Sequence, residues 1–139
     1  MSYQQKSVSA VLAIQLLVYA WYFTHILSQV SELDIEQVEY KTLLMLMIGL
    51  IVVLSIVGQI IIAISKPSEA GEVDERDRQI GLLSSRVGGI VLIICVFSVL
   101  GLLMSGAQIF WIAQALIASL ALSDIVMRVM MLIYYQRGV

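Results

Sequence analysis

Apolar residues fall in four long runs, and nearly every charge lies between them. The runs are VSAVLAIQLLVYAWYFTHIL (8–27), TLLMLMIGLIVVLSIVGQIIIAIS (42–65), VGGIVLIICVFSVLGLLM (87–104) and a stretch from about Ala107 to Tyr135. A helix needs about 20 apolar residues to cross a hydrocarbon core of about 30 Å. Lipid offers no hydrogen-bond partner, so a spanning segment must satisfy its own backbone, and a helix does so. Each run therefore predicts a transmembrane helix. The expected fold is all-α: an integral four-helix transmembrane bundle built from two helical hairpins, forming one membrane domain over 1–139.

The polar segments between the runs supply the connections. Residues 28–41 form an outer loop, with Ser31 and Asp34 spaced as a capping box and Val30, Leu33 and Val38 on roughly one side, which predicts a short helix there. Residues 66–86 form a cytoplasmic loop. Its KPSEAG stretch reads as a turn, and Pro67 follows the second run where it stops a helix without breaking one. Beyond it, Val73, Ile80, Leu83 and Val87 recur with helical spacing. That spacing predicts an amphipathic helix lying at the inner interface and feeding the third span. Asp74 and Arg78 stand at i and i+4 on it and are expected to pair. Between spans three and four only SGAQ remains, so those helices should form a tight hairpin.

Lysine and arginine fix the expected orientation. Lys6, Lys66, Arg76, Arg78, Arg86, Arg128 and Arg137 fall on one side of the four spans, and Lys41 alone on the other. Both termini are thereby expected in the cytoplasm, and the protein in the cytoplasmic membrane. The first run is read as a retained span and not a signal peptide, since it is long, a single Lys6 precedes it, and no small-x-small site follows.

Composition agrees. Hydrophobic residues make up 60% of the 139, against about 45–50% in a soluble domain. The net charge of −2 includes no basic stripe, which excludes a nucleic-acid partner. Cys95 is the lone cysteine, forms no intrachain disulfide, and reads as a packed thiol. The two halves share no evident repeat.

The fourth run carries the feature that most needs an explanation: Asp124 and Arg128 inside ALSDIVMRVM. A charge at a helix centre costs roughly 2.5–3.5 kcal/mol on insertion scales. The i, i+4 pairing offsets part of that, and arginine snorkels towards the headgroups. With Trp111 and Tyr134–Tyr135 as interface markers, Asp124 lies near the midplane. With a 20-residue span from the first apolar residue, both charges move towards the inner interface. On a helical wheel Ile117, Ala121, Asp124 and Arg128 share a stripe with Gln114 at its edge, and that stripe should face protein or water. Gln15, Ser55 and Gln59 fall in the same leaflet. Together with Asp124 and Arg128 they either converge on a cytoplasm-facing polar pocket or serve as interhelical glue. Ala115, Ser119 and Ser123 form a second, small-residue stripe, and Gly101 and Ser105 repeat the spacing in span three. Such stripes allow close helix approach, so span four is expected either at the centre of the bundle or at a subunit interface, and a homo-oligomer is expected.

Enzyme chemistry finds little foothold. His25 stands alone in an aromatic cluster and reads as an interfacial polar tip, with no second ligand at metal spacing. EVDERDR (72–78) is acidic but interleaved with arginines and lacks calcium-loop spacing. It reads as a solvated network of Asp74, Glu75, Arg76, Asp77 and Arg78. There is no phosphate-binding loop, no dinucleotide fingerprint and no nucleophile motif. No cofactor and no metal are implied, and the chain is not expected to be an enzyme.

VDERDRQIGLLSSRVG and MLIYYQRG resemble a family of small prokaryotic four-span membrane proteins of unknown function, with a D-E-R-[DE]-x-x-I element before the third span and a Y-x-R-G-like tail. The matching positions are Asp74, Glu75, Arg76, Asp77 and Ile80, then Tyr135, Arg137 and Gly138. Gln136 departs from the basic residue expected there. The resemblance implies a cytoplasmic-membrane protein of a prokaryote and supplies no activity. Both elements lie at the inner interface, so Arg137 or Arg128 is expected to pair with Asp74, Glu75 or Asp77. Two functions follow as expectations. One is a non-enzymatic regulator, accessory subunit or scaffold, working through helix–helix or cytoplasmic-loop contacts with a membrane-protein partner. The other is a small oligomeric transporter or channel with Asp124 as its proton- or cation-responsive group.

Overall fold

The computed structural model describes residues 2–138. Four long helices account for most of them: α1 (Tyr3–Glu32), α2 (Tyr40–Ser65), α3 (Glu75–Met104) and α4 (Ile109–Arg137). No strand occurs among the described residues. The fold class is all-α, as expected, and each helix is long and apolar enough to cross a membrane. The chain divides after Ala70 into two compact units, each a helical hairpin: α1 with α2, and α3 with α4.

Surface composition shows what surrounds these helices. Leu17, Met45 and Ile64 are each at least 70% exposed, and only 6% of the most apolar stretch of α2 is buried. Water tolerates few contiguous apolar patches beyond a few hundred Å². A helix that is apolar all round and uncovered is solvated by hydrocarbon. The chain is a multi-pass integral membrane protein.

Local chemistry sets the helix ends. α1 opens with a capping box, in which the Gln5 amide donates to Ser2 Oγ at 3.2 Å and the Ser2 amide to Gln5 Oε1 at 2.9 Å. It runs past the expected 8–27 at both ends, because amphipathic flanks extend a helix beyond its apolar run. The expected outer-loop helix shrinks to a single 3-10 turn, Ile35–Gln37. Ser31 does not cap it. Ser31 still belongs to α1 and bonds back to the Ser28 carbonyl at 2.7 Å. The 67–71 stretch is a turn, with Lys66 and Glu69 paired at 3.1 Å beside Pro67.

The amphipathic segment and the third span are one helix, which corrects the expectation of a separate interfacial element. α3 runs unbroken from Glu75 to Met104. The sequence 79–88 contains no proline, and Gly81, Gly88 and Gly89 are insufficient to break a helix packed along its length. α3 is then about 45 Å long at 1.5 Å per residue, half as long again as the hydrocarbon core.

At its far end α3 closes in a Schellman motif. Gly106 takes φ +78°, its amide donates to the Leu103 carbonyl, and the Ala107 amide donates to that of Leu102. Only a residue without a Cβ adopts this left-handed conformation without strain. The turn lets α4 start at Ile109, so SGAQ forms the tight connection that its length predicts.

Candidate functional site

The open end of the second hairpin brings together both halves of the motif noted in the sequence. Asp74 is the N-cap of α3 and Asp77 its third residue, and the two form a reciprocal capping box. Asp74 Oδ1 accepts from the Glu75 amide at 2.8 Å, and Asp77 Oδ2 accepts from the Asp74 amide at 3.2 Å. The other oxygen of Asp77 faces α4, where the Tyr135 hydroxyl donates to Oδ1 at 2.7 Å. Arg76 Nη2 completes the set by donating to the Tyr135 carbonyl at 3.2 Å. That carbonyl belongs to the last turn of α4, where no helical amide remains to satisfy it. Carboxylates at a helix N-terminus and a guanidinium at a C-terminus also complement the two helix dipoles.

This arrangement revises two expectations. Asp74 caps α3 instead of pairing with Arg78. The loop is tied to the end of α4, but through Arg76, Asp77 and Tyr135 and not through Arg137 or Arg128. Glu75 and Arg78 remain exposed.

Further along, α3 and α4 approach closely at Gly88. A Cβ on Gly88 would lie 2.9 Å from Met127 Cβ and 3.3 Å from the Ser123 carbonyl. Ser123 Oγ donates to the Gly88 carbonyl at 2.9 Å. Ser119 is buried, with its hydroxyl on the Ala115 carbonyl at 2.7 Å. The Ala115–Ser119–Ser123 stripe thus serves the hairpin itself at Ser123. Beyond it lies an open apolar groove of about 250 Å³ between Cys95, Val99 and Leu102 on one side and Ala115 and Ser119 on the other. Ser98 lines it too, with its hydroxyl on the Ile94 carbonyl at 2.9 Å.

These contacts fix the register of α3 against α4: Asp77 beside Tyr135, Ser85 beside Met127, Gly88 beside Ser123. Arg86 is the last charge of α3 before the apolar run. The run from Val87 to Met104 covers roughly 27 Å, close to the hydrocarbon thickness. With the hydrocarbon edge taken at Val87, Asp124, level with Gly88, falls within about one turn of that edge, and Arg128 at the edge itself.

On the stripe that carries these charges, Gln114, Ile117 and Ala121 are buried, Asp124 and Arg128 are half-buried, and both charged residues are engaged in polar or electrostatic contacts.

In the first hairpin the polar residues divide. Gln59 is engaged by Ser7, whose hydroxyl donates to its Oε1 at 2.8 Å and joins the open ends of α1 and α2. Near this point Ile14 Cδ1 lies 3.3 Å from the Cβ position of Gly58. Gln15 is 3% exposed and Ser55 half-buried. Ser7 was not singled out from sequence, since it sits before the apolar run begins. Its one legible signal is a hydroxyl on the helical flank opposite a glutamine at matching depth. Tyr135 was noted only as a motif residue, and its hydroxyl as a partner for Asp77 had no signal in spacing.

His25 is exposed with its ring 6.1 Å from that of Trp21. Among the described residues no group of histidine, cysteine and carboxylate side chains is placed to hold a metal ion.

Comparison with known proteins gives no relative: no family model, no curated protein and no solved structure matches this chain.

Proposed function

We propose that the protein is a non-enzymatic component of a prokaryotic cytoplasmic membrane, acting through contacts as a regulator, accessory subunit or scaffold. Its contact surface is the charged cytoplasmic segment 66–86, and its partner is another membrane protein. The observation that supports this is the division of labour within DERDR. Arg76 and Asp77 are used internally, on Tyr135. Glu75 and Arg78 are left exposed on a capped, regular helix turn. A charged pair on a rigid turn presents a fixed pattern to a partner at little ordering cost. The broad apolar faces of α2 are consistent with self-association as part of the same reading.

The test is cross-linking in native membranes with Glu75→Gln and Arg78→Gln combined. Loss of specific adducts, with the protein still membrane-inserted, supports the contact role. Adducts identical to those of the wild type contradict it.

A second reading is favoured by one observation: Asp124 and Arg128 lie half-buried on the stripe whose other members are buried. Intramembrane ionisable groups often mark ion or proton paths. Liposomes containing the purified protein distinguish the two readings. Proton or cation flux that disappears in Asp124→Asn supports transport, whereas an absence of flux in the wild type leaves the contact reading.

A further inference from the structure

We infer that Asp77, Arg76 and Tyr135 form a latch that couples the first turn of α3 to the last turn of α4, so that the capped start of one helix depends on the docked end of the other. The carboxylate of Asp77 holds two different amounts of structure together. Its Oδ2 completes the capping box of α3 through the Asp74 amide at 3.2 Å. Its Oδ1 receives the Tyr135 hydroxyl at 2.7 Å. A carboxylate bound on both oxygens has little rotational freedom, so each bond pre-orients the other. Arg76, the residue before it, grips the Tyr135 carbonyl, so side chain and backbone of one α4 residue are held by two consecutive residues of α3. Glu75 and Arg78, flanking this pair, are exposed and take no part.

The latch gives α4 a mechanical link to the charged turn. Ser123 and Tyr135 lie on the same helix, and both contact α3. A slide of α4 along α3 by one turn, about 5.4 Å, would carry the phenol out of hydrogen-bond range of Asp77. The turn at 74–77 would then lose the partner that fixes Asp77, and its amides would open more often. The coupling belongs to the hairpin and holds whatever binds the charged segment.

The test is amide hydrogen exchange on the full chain in lipid nanodiscs, comparing wild type, Tyr135→Phe and Gln79→Ala at an exposed position of α3. Tyr135→Phe keeps the ring and removes only the hydroxyl. It is expected to speed exchange of the amides at 75–78 by about five- to tenfold, a local opening effect of one hydrogen bond, while Gln79→Ala leaves them within about twofold. Exchange at the middle of α3 (90–100) serves as the fold control and should not change in either variant. Unchanged exchange at 75–78 in Tyr135→Phe overturns the latch. So does acceleration confined to 134–138, which would mean that the two helix ends open independently. If Tyr135→Phe disturbs the middle of α3 as well, the change is global, and the claim of a local latch fails.

Discussion

The hydroxyl of Ser123 is bonded to the carbonyl of Gly88, 2.9 Å away across the α3–α4 interface. The contact exists because position 88 has no side chain. A Cβ there would stand 2.9 Å from Met127 Cβ, closer than carbon atoms pack. Gly88→Ala should therefore push the helices apart and destabilise the hairpin by about 1–3 kcal/mol, the usual cost of overpacking. Reversible unfolding in mixed detergent micelles measures it. Gly89→Ala, where nothing lies within 4 Å, is the matched control and should be neutral or slightly stabilising.

The turn at the other end of the hairpin makes a separate prediction. Gly106 holds φ +78° in the Schellman motif. Alanine in a left-handed conformation costs roughly 1–2 kcal/mol. Gly106→Ala should lower stability by about that amount without altering the helix content seen by circular dichroism. Gly106→Asn should recover part of it, since asparagine tolerates the conformation better.

The Ser7–Gln59 bond at 2.8 Å is expected to contribute little. Interhelical hydrogen bonds in membrane proteins average about 0.6 kcal/mol, because the unfolded chain in lipid finds other partners. A double-mutant cycle of Ser7→Ala and Gln59→Met should give a coupling energy of about that size. A value above about 2 kcal/mol would exceed the known range for such pairs and would point to a role beyond glue.

Depth can be read by cysteine labelling in a Cys95→Ala background. A membrane-impermeant maleimide reacts with the thiolate, which forms only where water reaches. Arg128→Cys should label fast from one side, Asp124→Cys more slowly, and Leu120→Cys hardly at all. Equal rates at 120 and 128 would contradict the placement of the hydrocarbon edge derived from the α3–α4 register.

The elements of the fold were legible because lipid imposes a simple rule. A run such as 42–65 has one outcome in hydrocarbon, and α2 realises it at Tyr40–Ser65. The 75–86 stretch was harder. Its charges and its helical periodicity were both visible, but whether it bends away before Val87 depends on packing against α4, to which the one-dimensional pattern is blind. The same holds for the candidate site. The sequence marked Asp74, Arg76, Asp77 and Tyr135 as motif residues and marked the foot of α4 as their meeting place. It assigned the bond to arginines, since opposite charges are the obvious partners. The structure uses a phenol and a backbone carbonyl instead, which sequence spacing does not advertise. Ser123 was read as part of a close-packing face, open to a helix of the same chain or to a second copy, and it serves a neighbour within its own hairpin.

The Schellman closure after Met104 has a consequence for how this protein meets its surroundings. α3 passes into α4 through residues 105–108 alone, with most of their polar backbone turned inward on itself. A protease, an antibody or a soluble ligand approaching that face finds almost no handle on the second hairpin.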